Sequence, residues 1–509
     1  MHALFDQGPP PPCPAPFNLA AYVLDRGASL DDKIALAIVT PDAVESWSYA
    51  RLIRAVRGTA TGLLAQGLAP GDRVLMRLGN QVDFPITYLA ALAADLIPVP
   101  TSSLLTAPEV SRIAADVAPA LIVAAPGLSL PEPCPCPVLG LDELRAMHAL
   151  PAAGFAMGDP NRPGYIIYTS GTSGVPRAVT HAHRAIWARR MMWDGWYGLR
   201  DTDRLLHAGA FNWTYTLGTG LLDPWTMGAT ALIPGKGVTP GQLPALMQTH
   251  AASIFAAAPG VYRQLLRHDI PALPSLRHGL SAGEKLPDAS RAAWHSATGT
   301  QVHEAFGMSE CSTFVSGAPD RPARPGTLGY PQPGRRIAVL DQDGQPVAQG
   351  APGVLAVSDR DPGLMLGYWG AEDETRLKKR GEWFLTGDTA AMAGDGAITY
   401  LGRADDMMNA GGVRVSPIEV ETALNAHPQI AECAAAEITV KADTTVIAAF
   451  YVADAGLDPA DLDQFASRTL ARYKMPRIYK RIAALPKGAN GKILRRQLRE
   501  TYEADHDQA

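Results

Sequence analysis

The feature that most constrains this chain is the run from Tyr165 to His183, which reads YIIYTSGTSGVPRAVTHAH. It opens with four aromatic or β-branched residues, the pattern of a short buried strand. The small, hydroxylated or glycine residues from Thr169 to Gly174 follow and are called the phosphate turn. Because no bulky side chain blocks the backbone, such a turn can surround an anion with N–H groups and hydroxyls. Together with the positive charge of Arg177, the run predicts triphosphate binding.

This run has two alternative interpretations. A P-loop requires G-x-x-x-x-G-K-[ST], but Gly171 and Gly174 are too close together and no Gly-Lys-Ser/Thr follows. The P-loop is therefore excluded. An ordinary surface loop rich in serine and glycine remains open on this stretch alone, so the interpretation depends on the rest of the chain.

Length and composition bound the class of protein. A chain of 509 residues is too long for one ordinary core, so two or more domains are expected. The 47% of hydrophobic and 19% of charged residues are typical of a globular protein. A formal net charge of -5 favours neither nucleic acid nor an anionic membrane as a partner.

No export signal is expected from this sequence. Its start, MHALFDQGPPPPCPAP, has no basic region followed by an apolar stretch, and no apolar segment is long enough to span a membrane. Five cysteines are scattered, without metal or redox spacing. They are Cys13, Cys134, Cys136, Cys311 and Cys433. The expected location is the cytoplasm.

Strand-like and helix-like segments alternate through the first part of the chain, with helices predicted from Asp83 to Ala94 and from Thr180 to Trp193 among them. This alternation predicts a parallel sheet covered by helices. From Thr327, Gly and Pro punctuate short β-like segments, as in a smaller β-rich subdomain. The last segment has an alternation of its own. The predicted fold class is α/β. A large N-terminal domain, residues 1–403, combines parallel α/β sheets with a β-rich subdomain, and residues 404–509 form a small mobile α+β C-terminal domain.

Five further short segments carry polar residues beside glycine-containing turns. Two of them follow predicted strands, and ligands collect at the carboxyl ends of strands in parallel α/β sheets. The segments are Ser281-Ala-Gly-Glu284, Glu304-Ala-Phe-Gly-Met-Ser-Glu310, Phe384-Leu-Thr-Gly-Asp388, Gly402-Arg-Ala-Asp405 and Pro486-Lys-Gly-Ala-Asn-Gly-Lys492. Taken alone, Asp388 fits an ordinary turn acid and Lys492 a solvated hairpin lysine.

In this order, the segments resemble the adenylate-forming superfamily of acyl-CoA synthetases, carrier-protein adenylation domains and luciferases. The resemblance runs from about Trp47 to about Arg499, and the stretch from Asp405 to Glu421 is similar to benzoate–CoA ligases. It implies an ATP-dependent acid–CoA ligase for a small aromatic or short-chain acid. The acid would form an acyl-adenylate and then a CoA thioester, with release of pyrophosphate and AMP. The implied cofactors and co-substrates are ATP, Mg²⁺ and coenzyme A.

The resemblance also implies roles for individual residues. The ATP- or AMP-binding set is Thr169, Ser170, Gly171, Thr172, Ser173, Gly174, Arg177, Glu284, Glu304, Ala305, Phe306, Asp388 and Arg403. The catalytic set is Lys492, Ser309 and Glu310, with Glu310 also the Mg²⁺ ligand and Asp405 the hinge of a closing C-terminal domain. The acyl pocket comprises Trp213, Thr214, Tyr215, Met308, Thr313 and Phe314. Trp213 and Tyr215 fit equally well as core residues.

Four positions depart from the family pattern. Arg177 replaces the usual lysine, which keeps the charge but not its flexible geometry. Asn490 stands where threonine is frequent, and Asn409 and Thr313 stand where benzoate-type enzymes have lysine and histidine. Two alternatives to the acid–CoA ligase stay open: a stand-alone adenylation enzyme that loads a carrier protein, and a catalytically inactive nucleotide-binding regulator. The expected partners are the acid, ATP and CoA, and a homodimer is left open.

Overall fold

The computed structural model describes residues 1–169, 176–403, 406–410, 413–441, 444–468, 470, 472–488 and 492–506. The chain divides into two units. The larger unit comprises Phe5–Arg336 and Ser358–Glu382, and the smaller comprises Met1–Leu4, Ile337–Val357 and Trp383–Ala509.

A nine-stranded sheet forms the centre of the larger unit. Its six middle strands are parallel and almost wholly buried, as expected for a sheet covered on both faces, and its edge strands are antiparallel. In spatial order the strands are Val44–Ser48, Ile34–Val39, Thr230–Pro234, Arg204–His207, Ile254–Ala257, His278–Ala282, Val302–Met308, Ser312–Ser316 and Tyr330–Pro331.

Two smaller sheets complete the larger unit. One is parallel, in the order Ile97–Pro100, Arg73–Arg77, Leu121–Ala124 and Val138–Leu139. The other is antiparallel, in the order Gly367–Tyr368, Arg177–Ala182 and Pro163–Thr169. The second of these contains the strands on both sides of the phosphate turn.

Helices pack against these sheets. The helix Asp83–Ala93 is buried along its whole length and belongs to one apolar cluster with residues of both parallel sheets. The α-helices are Leu19–Asp25, Tyr49–Ala65, Asp83–Ala93, Ala107–Val117, Leu141–Ala146, Ala185–Ala188, Arg190–Met192, Asp223–Met227, Leu243–Thr249, Pro259–Leu265, Asp288–Thr298 and Glu372–Leu377. The segments Trp193–Tyr197 and Thr216–Leu222 are π-helical, and Arg26–Ser29, Met147–Ala149 and Pro240–Gln242 are 3-10 turns.

The first residues of one predicted helix form a strand instead. The sequence pattern predicts a helix from Thr180 to Trp193, but Arg177–Ala182 forms a strand and the helix begins only at Ala185. The strand pairs antiparallel with the preceding one, with Thr180 opposite Ile166 and Arg177 opposite Thr169. Pairing across the phosphate turn therefore overrides the local helical pattern.

The smaller unit is built mainly from antiparallel strands. They are Ile337–Leu340, Pro352–Ser358, Trp383–Met392 and Ile398–Arg403; then Met408–Ala410 and Val413–Val415; and Glu432–Lys441 and Thr444–Val452, the last of which pairs parallel with Ile478–Arg481. Its helices are Pro417–Asn425, Pro459–Ala466 and Arg495–His506, with a 3-10 turn at Arg472–Lys474. Leu424, Ile447 and Leu462 lie in one apolar cluster of this unit.

The predicted α/β class with a smaller C-terminal domain is confirmed. A boundary between residues 403 and 404 stays a prediction, because the smaller unit also takes in Ile337–Val357 and the strands from Trp383 onward. Among the described residues, no helix is long and apolar enough to cross a membrane.

Candidate active site

Two of the predicted segments leave the same edge of the nine-stranded sheet. Ser281–Glu284 follows the strand His278–Ala282, and Ser309–Glu310 follows the neighbouring parallel strand Val302–Met308. In register, Ser281 lies opposite Glu304 and Ala282 opposite Ala305. The carboxyl ends of these strands therefore meet, which is where ligands bind in open parallel sheets.

Ser309 and Glu310 lie in a tight turn between the strands Val302–Met308 and Ser312–Ser316. The Glu310 carboxylate accepts a hydrogen bond of 2.7 Å from the Tyr368 hydroxyl. Burial and the nearby Glu310 charge raise the pKa of Tyr368, which keeps its proton for this bond. Tyr368 lies opposite Val179, so Glu310 is tied to the strand that follows the phosphate turn.

His181 also contacts this turn. Its Nε2 donates a 2.7 Å hydrogen bond to the Ser309 carbonyl, and its ring stacks on Tyr165 with 4.9 Å between ring centroids. Burial lowers the pKa of His181 to about 4, so the imidazole is neutral near pH 7. Neither His181 nor Tyr368 was selected from the sequence. The only local signal for His181 is its position in the Thr-His-Ala-His run.

At the phosphate turn, Thr169 and Arg177 face each other across the hairpin. The Arg177 Nε lies 2.7 Å from Glu374, on the helix Glu372–Leu377, and both side chains are about one-third exposed or more. The predicted residues Ser170, Gly171, Thr172, Ser173 and Gly174 lie outside the described residues. Arg177, the cation that follows the turn, is thus already paired with Glu374, a carboxylate outside the predicted motifs.

Four residues of the predicted ATP- or AMP-binding set occupy different environments. The Glu304 carboxylate is buried and accepts a 2.9 Å hydrogen bond from Arg291, and burial raises its pKa to about 7. Phe306 is partly exposed, with Phe314 packed edge-on against it at 5.5 Å. Ala305 is buried and Glu284 partly buried. Phe306 therefore offers an aromatic ring, whereas the Glu304 side chain is engaged within its own unit.

The predicted acyl-pocket residues are also divided. The Tyr215 hydroxyl donates a 3.1 Å hydrogen bond to the Leu280 carbonyl, and its ring lies in a buried aromatic cluster. Trp213 is half-buried and lies against Gly283. A side chain at position 283 would place its Cβ 2.8 Å from the indole, so this close packing requires glycine. Thr214, Met308 and Thr313 are partly exposed and Phe314 is buried.

In the smaller unit, Asp388 and Arg403 lie opposite each other on paired strands. The Arg403 Nη1 is 3.4 Å from the Asp388 carboxylate, which also accepts a 3.1 Å hydrogen bond from Tyr400. Burial raises the pKa of Asp388 above its ordinary value, against the opposing effect of Arg403. A Cβ on Gly387 would lie 2.8 Å from the guanidinium, so glycine is needed for this arrangement.

The side chain of Lys492 is exposed. The backbone carbonyl of Lys492 accepts a 2.8 Å hydrogen bond from the Gly488 N–H, which closes a hairpin. The charge of Lys492 lowers the pKa of Asp388, so the two side chains of the smaller unit lie within electrostatic reach. Two positions named from the sequence lie outside the described residues: the predicted hinge Asp405, and Asn490, which departs from the family pattern. The neighbouring Asp406 lies 3.4 Å from Arg495.

A metal would depend on few protein ligands. Within the part of the chain that the structure describes, no three His, Cys, Asp or Glu residues cluster closely enough to hold a metal ion. The single carboxylate of Glu310 still suits Mg²⁺, which prefers oxygen ligands and is commonly held by one or two carboxylates together with phosphates and water.

Comparison with known proteins decides the family. The model of the AMP-binding enzyme family matches residues 25–369, and that of the AMP-binding enzyme C-terminal domain matches residues 419–492. The chain belongs to the AMP-binding enzyme family. This confirms the resemblance stated from the motifs.

This AMP-binding enzyme is similar over nearly its whole length to named acid–CoA ligases. It is 31% identical to the benzoate–CoA ligase of Thauera aromatica, over 90% of this chain and 91% of the relative. A benzoate CoA ligase structure from Burkholderia xenovorans LB400 superposes with a TM-score of 0.84 at 27% identity, covering 95% and 100%. The anthranilate CoA ligase AuaEII in complex with anthranoyl-AMP gives 0.86 at 26% identity, covering 97% and 99%.

Proposed function

We propose that this AMP-binding enzyme is an ATP-dependent acid–CoA ligase that activates a small aromatic or short-chain carboxylic acid. The acid is first converted to an acyl-adenylate with release of pyrophosphate. CoA then displaces AMP to give the thioester. The observation that carries this proposal is the similarity over 90% or more of the chain to named benzoate and anthranilate CoA ligases.

The chemistry explains why ATP is needed. A carboxylate is a poor electrophile, because resonance spreads its charge and oxide is a poor leaving group. Attack of the carboxylate on the α-phosphorus expels pyrophosphate and makes AMP the new leaving group. A thiol can then form the thioester. Water must be excluded meanwhile, which favours a closing domain that turns about Asp405.

We assign the first step to Ser309, Glu310 and Lys492. The Ser309 hydroxyl would donate to the α-phosphate, and the Lys492 ammonium would stabilise charge on the acid and the α-phosphate during attack. A positioned charge of this kind is worth a hundred-fold or more in rate, roughly 3 kcal/mol. Glu310 is the ligand suited to Mg²⁺, which when bound neutralises phosphate charge.

We assign ATP binding to the phosphate turn with Arg177, to Phe306 beside adenine, and to Asp388 and Arg403 at the ribose. A buried carboxylate accepts strongly from hydroxyl groups, and an aromatic face stacks favourably on a base. Glu284, Glu304 and Ala305 complete the assigned ATP-binding set.

The acid itself would lie against Trp213, Thr214, Met308 and Thr313, with Tyr215 and Phe314 behind them. Bulky aromatic walls favour a short or aromatic acid over a long chain. We place the enzyme in the cytoplasm, because all five cysteines are free thiols and a reducing compartment suits them.

A panel of aromatic and short aliphatic acids, scored for AMP release with and without CoA, tests the proposal. We expect acid-dependent AMP release that rises strongly with CoA and yields the thioester. Turnover that requires a carrier protein instead of CoA would favour the carrier-loading enzyme. ATP binding without acid-dependent pyrophosphate exchange would favour an inactive regulator. That alternative is considered because Arg177 replaces the lysine that is usual in the family.

A further inference from the structure

A cavity of the larger unit lies beside the Ser309 turn. Its polar lining includes Tyr88, Tyr165, His181, Arg189, Thr214 and Ser309. Ser309 and Thr214 also belong to the proposed α-phosphate and acyl sites. The cavity therefore adjoins the place where the acid would react.

Two polar atoms in these walls lack partners. Tyr88 is fully buried, and its hydroxyl has no hydrogen-bond partner among the described residues. His181 is also buried and donates through Nε2 to Ser309, yet its Nδ1 has no partner within the described part of the chain. Since buried polar groups are almost always hydrogen-bonded, two such atoms at one cavity can each hydrogen-bond a polar group that enters it.

Tyr88 and His181 both pack against the Tyr165 ring, whose centroid is 6.0 Å from that of Tyr88 and 4.9 Å from that of His181. Because Nε2 carries the proton of His181, Nδ1 is an acceptor. The Tyr88 hydroxyl can donate. A neutral hydroxyl group can accept a hydrogen bond from Tyr88 or donate one to the His181 Nδ1.

The charge of Arg189 is already neutralised. Its Nε and Nη2 contact the Asp223 carboxylate at 2.9 and 2.6 Å, and its Nη1 donates to Ser312 at 2.6 Å. A Cβ on Gly218 would lie 2.4 Å from the guanidinium carbon, so glycine lets the arginine lie in this wall. The cavity thus provides no uncompensated cation for an anionic group, which favours a neutral polar ligand.

We propose that this cavity binds a hydroxyl substituent of the acid substrate and makes the enzyme selective for hydroxylated acids. The inference rests on the proposed acid–CoA ligase function. A site built to hydrogen-bond a substrate hydroxyl discriminates strongly against the analogue without it, because its own polar groups are then left unpaired. A cavity filled by ordered water is the competing outcome.

The test compares benzoate with the three monohydroxybenzoates in acid-dependent pyrophosphate release. The wild-type enzyme is expected to favour at least one hydroxybenzoate over benzoate by tenfold or more in kcat/KM. Tyr88→Phe removes only the hydroxyl and is expected to reduce that ratio at least tenfold. The matched control is Tyr49→Phe, which removes a buried hydroxyl that donates to the Ala229 carbonyl away from the cavity, and it should leave the ratio unchanged.

Activity on benzoate without preference for any hydroxybenzoate would overturn the hydroxyl site and leave the ligase function standing. The same holds if Tyr88→Phe and Tyr49→Phe retain the wild-type ratio, which indicates a cavity filled by water. Absence of pyrophosphate release with every acid would instead overturn the proposed function. The ratio is measured within each variant, so partial loss of folded enzyme does not alter it.

Discussion

The Tyr368 hydroxyl donates a 2.7 Å hydrogen bond to the Glu310 carboxylate, and the strand of Tyr368 pairs with the strand that follows the phosphate turn. The residue proposed to hold Mg²⁺ is thereby oriented by the hairpin proposed to hold the phosphates. This bond is a means of fixing one carboxylate where a metal–phosphate complex would need it.

Tyr368→Phe tests that orientation. A hydrogen bond to a charged group is worth about 1.5–3 kcal/mol, so its loss should raise the Mg²⁺ concentration needed for half-maximal pyrophosphate release by roughly tenfold or more. The measurement is a Mg²⁺ titration at saturating ATP and acid. Tyr49→Phe serves as the control, and an unchanged Mg²⁺ requirement in Tyr368→Phe would contradict the orienting role.

Glu374→Gln tests the pairing of Arg177. The 2.7 Å ion pair is partly exposed, so its loss should cost less than about 1 kcal/mol of unfolding free energy. Removing the negative charge should leave Arg177 available to phosphate and lower the KM for ATP several-fold. Steady-state kinetics and denaturant unfolding measure the two effects, and a raised KM would argue that Glu374 positions Arg177 productively.

Asp223→Ala leaves the Arg189 guanidinium buried without its carboxylate. Both side chains are nearly inaccessible to solvent, and breaking such a pair typically costs about 3–5 kcal/mol. We expect a fall of that size in the unfolding free energy measured with denaturant. Replacing both Arg189 and Asp223 by apolar residues of similar volume should recover much of the lost stability. An Asp223→Ala variant as stable as the wild type would contradict the cost expected for breaking this buried pair.

Glu304 predicts a pH-dependent contribution to stability. Burial raises its pKa from 4.5 to about 7, so between these values the folded protein holds a proton that the unfolded chain releases. The unfolding free energy should therefore fall as pH rises through this window, by up to about 3 kcal/mol. In Glu304→Gln the unfolding free energy, measured with denaturant, should depend less on pH over the same range. The same pH dependence in the variant and the wild type would disprove the raised pKa of Glu304.

Local patterns predicted much of the fold. The helix predicted from Asp83 to Ala94 is observed at Asp83–Ala93, and short apolar runs mark strands of the nine-stranded sheet such as Thr230–Pro234 and Ile254–Ala257. The error at Thr180 has a physical cause, because strand pairing across the phosphate turn is a non-local interaction that a local pattern does not contain.

The same distinction holds for the site. Ser309, Glu310 and Asp388 stand in motifs that the sequence displays, whereas Tyr368, Glu374 and His181 reach their partners only through folding. Tyr368 is 58 residues from Glu310, and His181 is 128 residues from Ser309. Their positions in the sequence carry no local signal of these contacts, so only the fold could identify them.

Lys492→Ala, assayed by acid-dependent ATP–pyrophosphate exchange, tests the central claim most directly. Lys487→Ala is the matched control, because Lys487 lies in the same hairpin and pairs with Glu432. The account predicts that exchange falls a hundred-fold or more in Lys492→Ala and stays near the wild-type rate in Lys487→Ala. Exchange within a few-fold of the wild type in Lys492→Ala would contradict the proposed catalytic role.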